Sequence, residues 1–181
     1  MSGRMIAVVG ASGVGKDSVM AGMVAADPSL RMVRRVITRA ADAGGEDFTP
    51  ASLEEFEDIV AQGGFWLHWA AHGLRYGIPV AVGDELHAGG WVLVNLSRGV
   101  LAEAQALTKG LVVLELTASA DVLAERLSAR GRETKAGVAA RLKRADFALP
   151  AGLHQVHRID NSGPFDQTVA AALTRLHPER A

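Results

Sequence analysis

The sequence predicts an α/β fold, a mostly parallel sheet with helices on both faces. Three observations carry that prediction. Strand-length apolar runs alternate with helix-length segments along the 181 residues. Several runs, such as Trp91-Val92-Leu93-Val94 and Leu111-Val112-Val113-Leu114, are apolar at every position, the pattern of strands covered on both faces. The string Gly10-Ala11-Ser12-Gly13-Val14-Gly15-Lys16, of the form G-x-x-x-x-G-K, stands between an apolar strand and an amphipathic helix.

In chain order, Met5 to Val9 form the first strand, and Val19, Met20, Met23 and Val24 recur at helical spacing over a helix at 16–26. A basic segment follows at 31–39. The next helix, 52–62, opens on a capping box, Ser52-Leu53-Glu54-Glu55, and is stopped by Gly63-Gly64. A strand at 65–69, a helix at 80–88, a strand at 91–95, a helix at 98–107 and a strand at 111–117 come next. Helices near 119–129 and 136–146, a strand at 155–160 and a helix at 165–176 complete the expectation. Two polar, turn-rich stretches, 42–47 and 71–77, read as loops flanking a small unit that receives a substrate. No internal repeat or long linker divides the chain, so one domain spanning 1–181 is expected.

The glycine string carries chemistry. Glycines let backbone N–H groups fold around phosphate oxygens, the following helix presents its positive end, and a lysine reaches the terminal phosphates. Gly10, Ala11, Ser12, Gly13, Val14, Gly15 and Lys16 are therefore expected to hold a nucleoside triphosphate. A dinucleotide fingerprint does not fit, because Ser12 breaks G-x-G read from Gly10 and Ser18 stands where the third glycine belongs read from Gly13. Such loops usually follow the lysine with Ser or Thr, whose hydroxyl ligates Mg²⁺; here Asp17 comes first and Ser18 second. Two readings of Asp17 stand open: a carboxylate favoured by the helix dipole, or part of an altered Mg²⁺ shell with Ser18.

Composition narrows the class. With 49% apolar and 22% charged residues the chain is an ordinary globular protein. The absence of cysteine excludes a disulfide framework and a thiolate zinc site. No apolar run approaches the ~18 residues of a membrane span, and the N-terminal residues carry no signal-peptide pattern, so a cytoplasmic protein without a membrane partner is expected. A net charge of −1 gives no reason to expect nucleic acid as a partner. The distribution of charge is more telling. Residues 31–39 and 126–144 together hold 11 of the 19 basic residues, which suits a highly anionic donor and acceptor.

The order of phosphate loop, arginine segment, small acceptor unit and late arginine-rich segment resembles the nucleoside monophosphate kinases, guanylate kinase in particular. Thr38-Arg39, Phe65 to Trp69 leading into Tyr76-Gly77, and Leu123 to Arg126 running on to Arg130-Gly131 and Arg141-Leu142 carry the likeness. The departures matter as much. Asp42 and Phe48 stand where guanylate kinases carry an arginine and a tyrosine for the nucleotide's phosphate, and His68 replaces the carboxylate that reads guanine. A pocket lacking that acceptor leaves guanine's donors unsatisfied, so guanylate is a poor substrate.

The chain is more similar to the ribose 1,5-bisphosphate phosphokinase family, guanylate-kinase relatives of phosphonate catabolism. The matching strings are Gly15-Lys16-Asp17-Ser18, Val36 to Asp47, and His68 to Pro79. That resemblance implies a P-loop kinase fold with a small acceptor-binding subdomain at approximately 31–79 and an Arg-rich lid at approximately 126–144. It implies transfer of the γ-phosphoryl group of ATP to the 1-phosphate of ribose 1,5-bisphosphate, a phosphorylated sugar, with Mg²⁺ as cofactor. Lys16, Arg130 and Arg141 are then the catalytic residues, with Arg126 a helper on the nucleotide. Arg35, Arg39, Arg75 and Tyr76 are candidates for the acceptor's phosphates, and His68 and His72 for its hydroxyls or a phosphate. For His68, set among Trp66, Leu67 and Trp69, a core role is an equal alternative. Asp160 to Gly163 reads either as an adenine-side loop or as a turn before the last helix. A nucleotide kinase with an altered pocket and a non-catalytic guanylate-kinase-like binding module remain as competing readings, the second disfavoured by the intact loop and its lysine.

Overall fold

An apolar residue at every position of a strand requires cover on both sides, because successive side chains point to opposite faces. In β1 (Arg4–Gly10), Met5, Ala7 and Val9 belong to one buried cluster and Ile6 and Val8 to another. The computed structural model describes residues 3–41, 46–129 and 148–177. After β1 come α1 (Lys16–Ala26), β2 (Leu30–Met32), β3 (Arg35–Ile37), β4 (Phe48–Pro50) and α2 (Leu53–Ala61). Then follow β5 (Phe65–Ala71), β6 (Leu74–Pro79), α3 (Ala81–His87), β7 (Trp91–Asn95), a 3₁₀ turn (Arg98–Val100) and α4 (Leu101–Leu107). The last described elements are β8 (Leu111–Thr117), α5 (Ala120–Ala129), β9 (Val156–Asp160) and α6 (Phe165–Leu176).

Five strands form a parallel sheet in the order β2-β7-β1-β8-β9. On one face α1 and α6 pack through Val19, Met20, Met23, Val169, Ala172 and Leu176 onto Ile6, Val8, Leu93 and Leu114. On the other, α3 and α4 cover Met5, Ala7, Val92 and Val113 through Val82, Leu86, Leu101 and Ala104. The far ends of α1 and α6 are joined by a close contact between Asp27 and His177, Nε2 to Oδ2 2.9 Å. His177 stacks on Trp91 at 4.7 Å, and the guanidinium of Arg4 lies over the same ring at 4.6 Å.

A second, four-stranded sheet has the order β4-β3-β6-β5, with β3 and β4 parallel and the other pairs antiparallel. The sequence expectation differs here. The segment 31–39, expected only as basic, holds most of β2 and all of β3, and the expected loop 71–77 is the turn and most of the second strand of a hairpin. The turn is His72-Gly73, with φ of 54° and 76°. A two-residue hairpin turn of the I′ kind needs positive φ at both central residues, and histidine rarely signals it. The helix expected at 98–107 begins as the 3₁₀ turn and becomes α-helical only at Leu101. The helix expected at 136–146 lies outside the described residues. The capping box at Ser52 is formed: the Glu55 N–H donates to Ser52 Oγ at 3.1 Å, and the Ser52 N–H donates to Glu55 Oε2 at 2.7 Å. Among the described residues no helix is long and apolar enough to cross a membrane.

Candidate active site

The C-terminal end of β1 opens into the glycine loop, at the edge where parallel sheets place ligands. Gly15 has φ 96°, and a Cβ there would lie 2.8 Å from the side-chain nitrogen of Asn161; at Gly10 a Cβ would meet the Leu116 carbonyl at 2.5 Å. Glycine alone fits both positions. Val14 is fully buried and anchors the loop in the core. Lys16 Nζ donates to the carbonyls of Gly10 at 3.0 Å and Ala11 at 3.2 Å, so its ammonium lies across the loop. Burial lowers its pKa to about 8; the Asp17 carboxylate works against the shift, while Arg35 and Arg98 add to it. The ammonium is still the major form at neutral pH.

The loop is braced from behind by the end of the chain. Asn161, just past β9, is buried, and its side-chain amide donates to the Val14 carbonyl at 2.7 Å. Thr168 of α6 donates its hydroxyl to Asn161 Oδ1 at 2.9 Å. Arg126 of α5 donates to the Val14 carbonyl at 3.3 Å and to the Asn161 carbonyl at 2.9 Å. The sequence offers Asn161 as part of an adenine-side loop or of a turn; in the structure its side chain supports the phosphate loop. Arg126, expected on the nucleotide, has its guanidinium turned to loop backbone.

Asp17 and Ser18 occupy the first turn of α1, both exposed. Asp17 Oδ1 accepts a hydrogen bond from Asn95 Nδ2 at 3.1 Å. Asn95 is the last residue of β7 and pairs in register with Val8, two residues before the loop. A hard carboxylate oxygen and a hydroxyl beside a phosphate loop are donors of the type Mg²⁺ takes. Among the described residues no group of three or more His, Cys, Asp or Glu side chains is placed to hold a metal.

The residues expected to hold the acceptor divide between the two faces of the small sheet. Arg35, Trp69 and Tyr76 share the inner face. The Trp69 and Tyr76 rings stack at 5.3 Å, and the Arg35 guanidinium lies 5.1 Å from the Tyr76 centroid and 5.8 Å from that of Trp69. Arg35 is buried, and it donates to both carboxylate oxygens of Glu46 at 2.5 to 3.0 Å. Trp69 is fixed by its indole N–H donating to Ser97 Oγ at 2.9 Å. Burial raises the Tyr76 hydroxyl pKa, opposed by Arg35 and Arg39.

His68 and Arg75 lie on the outer face, where strand alternation sets them opposite Trp69 and Tyr76. His68 is exposed rather than part of the core, with its ring 6.4 Å from Phe56 of α2 and 6.1 Å from Phe65. His72 is exposed at the hairpin tip. A cleft of about 880 Å³ opens here, lined by Thr38, Arg39, Ser52, Glu55, Ala70 and Arg75 among others. It does not include the glycine loop. Arg75 and Thr38 are tied together: the Arg75 N–H donates to Thr38 Oγ1 at 2.8 Å and the Thr38 N–H to the Arg75 carbonyl at 3.1 Å. The Arg39 guanidinium lies over the Phe48 ring at 4.3 Å, and its buried Nε and Nη2 have no hydrogen-bond partner among the described residues.

Sequence reasoning gave no role to Glu46, Asn95 or Arg98, although Asn95 and Arg98 follow the run of β7, where strand ends gather site residues. Arg130 and Arg141, expected as lid cations, lie outside the described residues, as does Asp42.

No family model matches the chain. It is 53% identical over 179 residues to a ribose 1,5-bisphosphate phosphokinase PhnN of Ruegeria sp. strain TM1040, covering 99% of this chain and 94% of that protein. It is 46% identical over 185 residues to the Azotobacter vinelandii protein of the same name, covering 100% of this chain and 99% of the relative. Among solved structures, a guanylate kinase from Anaplasma phagocytophilum superposes with a TM-score of 0.71 at 18% identity, covering 98% of this chain and 86% of that one. The fold is thus the guanylate-kinase-like α/β fold of phosphate-loop kinases.

Proposed function

The chain belongs to the ribose 1,5-bisphosphate phosphokinase family, and we propose that it transfers the γ-phosphoryl group of ATP to the 1-phosphate of ribose 1,5-bisphosphate, giving 5-phosphoribosyl 1-diphosphate and ADP, as a cytoplasmic enzyme of phosphonate catabolism. One observation supports this reading beyond kinship. Cations stand at two separate places, Lys16 on the phosphate loop and Arg39 with Arg75 at the outer cleft, as a phosphorylated donor and a phosphorylated acceptor require.

An acceptor phosphate is already an anion at neutral pH, so the protein needs alignment and charge neutralisation rather than a strong base. In this reading the backbone of residues 10–15 and Lys16 hold the donor's phosphates, and Arg126 keeps the loop in shape. Lys16 stabilises charge on the transferring group, with Arg130 and Arg141 closing over it from the lid. Arg39 and Arg75 bind the acceptor's outer phosphate, and His68 and His72 flank them on the hairpin for its hydroxyls. Arg35, neutralised by Glu46, fixes Tyr76 on the side facing Lys16. Asp17 and Ser18 are the residues that would hold Mg²⁺, which when bound neutralises the β and γ oxygens. The chain works as one domain, 1–181, with acceptor and lid regions at approximately 31–79 and 126–144.

The test is to mix purified protein with ATP, Mg²⁺ and a panel of ribose bisphosphates and nucleoside monophosphates and identify the products by mass. 5-Phosphoribosyl 1-diphosphate, one phosphoryl group heavier than the ribose 1,5-bisphosphate supplied, is expected, with no nucleoside diphosphate from guanylate. Efficient phosphorylation of guanylate with ribose 1,5-bisphosphate ignored overturns the reading.

A further inference from the structure

We propose that Asn95 is a positioning residue of the metal shell: its side-chain amide sets the Asp17 carboxylate at the lip of the phosphate loop. The inference rests on the reading of Asp17 as a Mg²⁺ residue and goes beyond it. In phosphate-loop enzymes the metal is shared between a loop Ser or Thr and a strand-borne Asp. Here the acid stands on the loop side, and the residue facing it across 3.1 Å, at the end of the strand next to β1, is an amide. Acid and neutral partner have exchanged places, and the pair still carries a single negative charge.

Three arguments favour a built arrangement over a chance contact. A carboxylate only accepts hydrogen bonds, so the Asn95 amide nitrogen must face it, and the amide is oriented without ambiguity. An acid at position 95 would place two carboxylates in hydrogen-bond contact, which like-charge repulsion disfavours. Finally, a helix-dipole role for Asp17 is satisfied in any rotamer and needs no partner 78 residues away, whereas orienting one oxygen toward a cation does. Partners that orient metal-binding groups from outside act in this way elsewhere.

The experiment measures Mn²⁺ as the probe, by its electron paramagnetic resonance, on the full chain with a non-hydrolysable ATP analogue. Metal-free binding of the analogue and thermal melting serve as controls. Asn95→Ala is expected to weaken Mn²⁺ binding about tenfold and alter the bound-Mn²⁺ spectrum, with metal-free nucleotide binding retained. Asp17→Asn should weaken it at least as much, and Asn95→Ala should then add nothing. The isosteric Asn95→Asp should also lose affinity, and Asp17→Ser combined with Asn95→Asp should recover most of it. If Asp17→Asn weakens Mn²⁺ binding while Asn95→Ala matches wild type, the positioning role is overturned and the metal reading stands. If Asp17→Asn matches wild type, the assignment of Asp17 to the metal falls, and this inference with it.

Discussion

The side chain of Asn161 donates to the carbonyl of Val14 across 2.7 Å, joining the end of the last strand to the middle of the phosphate loop. Because Asn161 also accepts from Thr168 and is buried, three elements meet on one amide. Asn161→Ala leaves the Val14 carbonyl without its amide donor and Thr168 with only the longer bonds to the Asp160 and Pro164 carbonyls. A loss of roughly 1–3 kcal/mol in denaturant unfolding is expected, together with weaker nucleotide binding. Wild-type values of both would show that the brace does not matter.

Lys16→Ala should lower kcat by about 100- to 1,000-fold while leaving the thermal transition within a few degrees of wild type. Its ammonium bonds only to loop carbonyls among the described residues, so its loss removes charge from the donor site more than packing from the core. Steady-state kinetics with a melting curve checks both halves.

Arg75→Ala is expected to raise KM for ribose 1,5-bisphosphate about tenfold with little change in KM for ATP, as a charge-assisted bond to a bound anion is lost. Arg75 is exposed at the outer cleft and its backbone, not its side chain, ties the hairpin to Thr38, so the fold should tolerate the change. An equal rise in both constants would argue against a separate acceptor site.

Arg35 is buried and its partner Glu46 largely so, and removing one partner strands the other's charge. Arg35→Met should cost about 3–5 kcal/mol in equilibrium unfolding, whereas Arg35→Met with Glu46→Leu should recover much of that. A double variant no more stable than the single one would mean that the pair does more than neutralise itself.

Asp27 gives a pH signature. The Ser29 hydroxyl holds its carboxyl below the usual carboxylate range, with further help from the Ser29 N–H and His177. A folded-state pKa below the unfolded value of 3.8 means that its contribution to stability is complete above that value and lost as pH falls through the folded one. Asp27→Asn should therefore be less stable than wild type at pH 7, with the gap narrowing below about pH 4. A gap that stays constant on acidification contradicts this.

What the sequence made legible followed from repetition. The unbroken apolar runs of β1, β7 and β8 and the helical spacing of Val19, Met20 and Met23 each supply many residues pointing to one answer. The three-residue strands β2, β3 and β4 offer too few positions for any period, and their pairing is decided by partners far along the chain. The hairpin was hidden by a histidine in a left-handed turn. At the site, Lys16 announced itself by motif, whereas Asn95, Glu46 and Asn161 act through contacts between distant segments, and an isolated Asn or Glu carries no mark of its partner. Arg75 is divided from Tyr76 by alternation once the strand is known, whereas the placing of His68 on the face opposite Tyr76 turned on the register of β5 with β6.

The brace behind the phosphate loop also sets an order of assembly. The residues that fasten the loop come late: Arg126 and Asn161 follow Val14 by 112 and 147 residues, and Thr168 lies further on. A nascent chain carrying the whole motif still lacks the amide that holds Val14 until Asn161 has been synthesised. Nucleotide capture consequently waits on Asn161, and fragments that stop short of it keep the motif without the means to hold its shape.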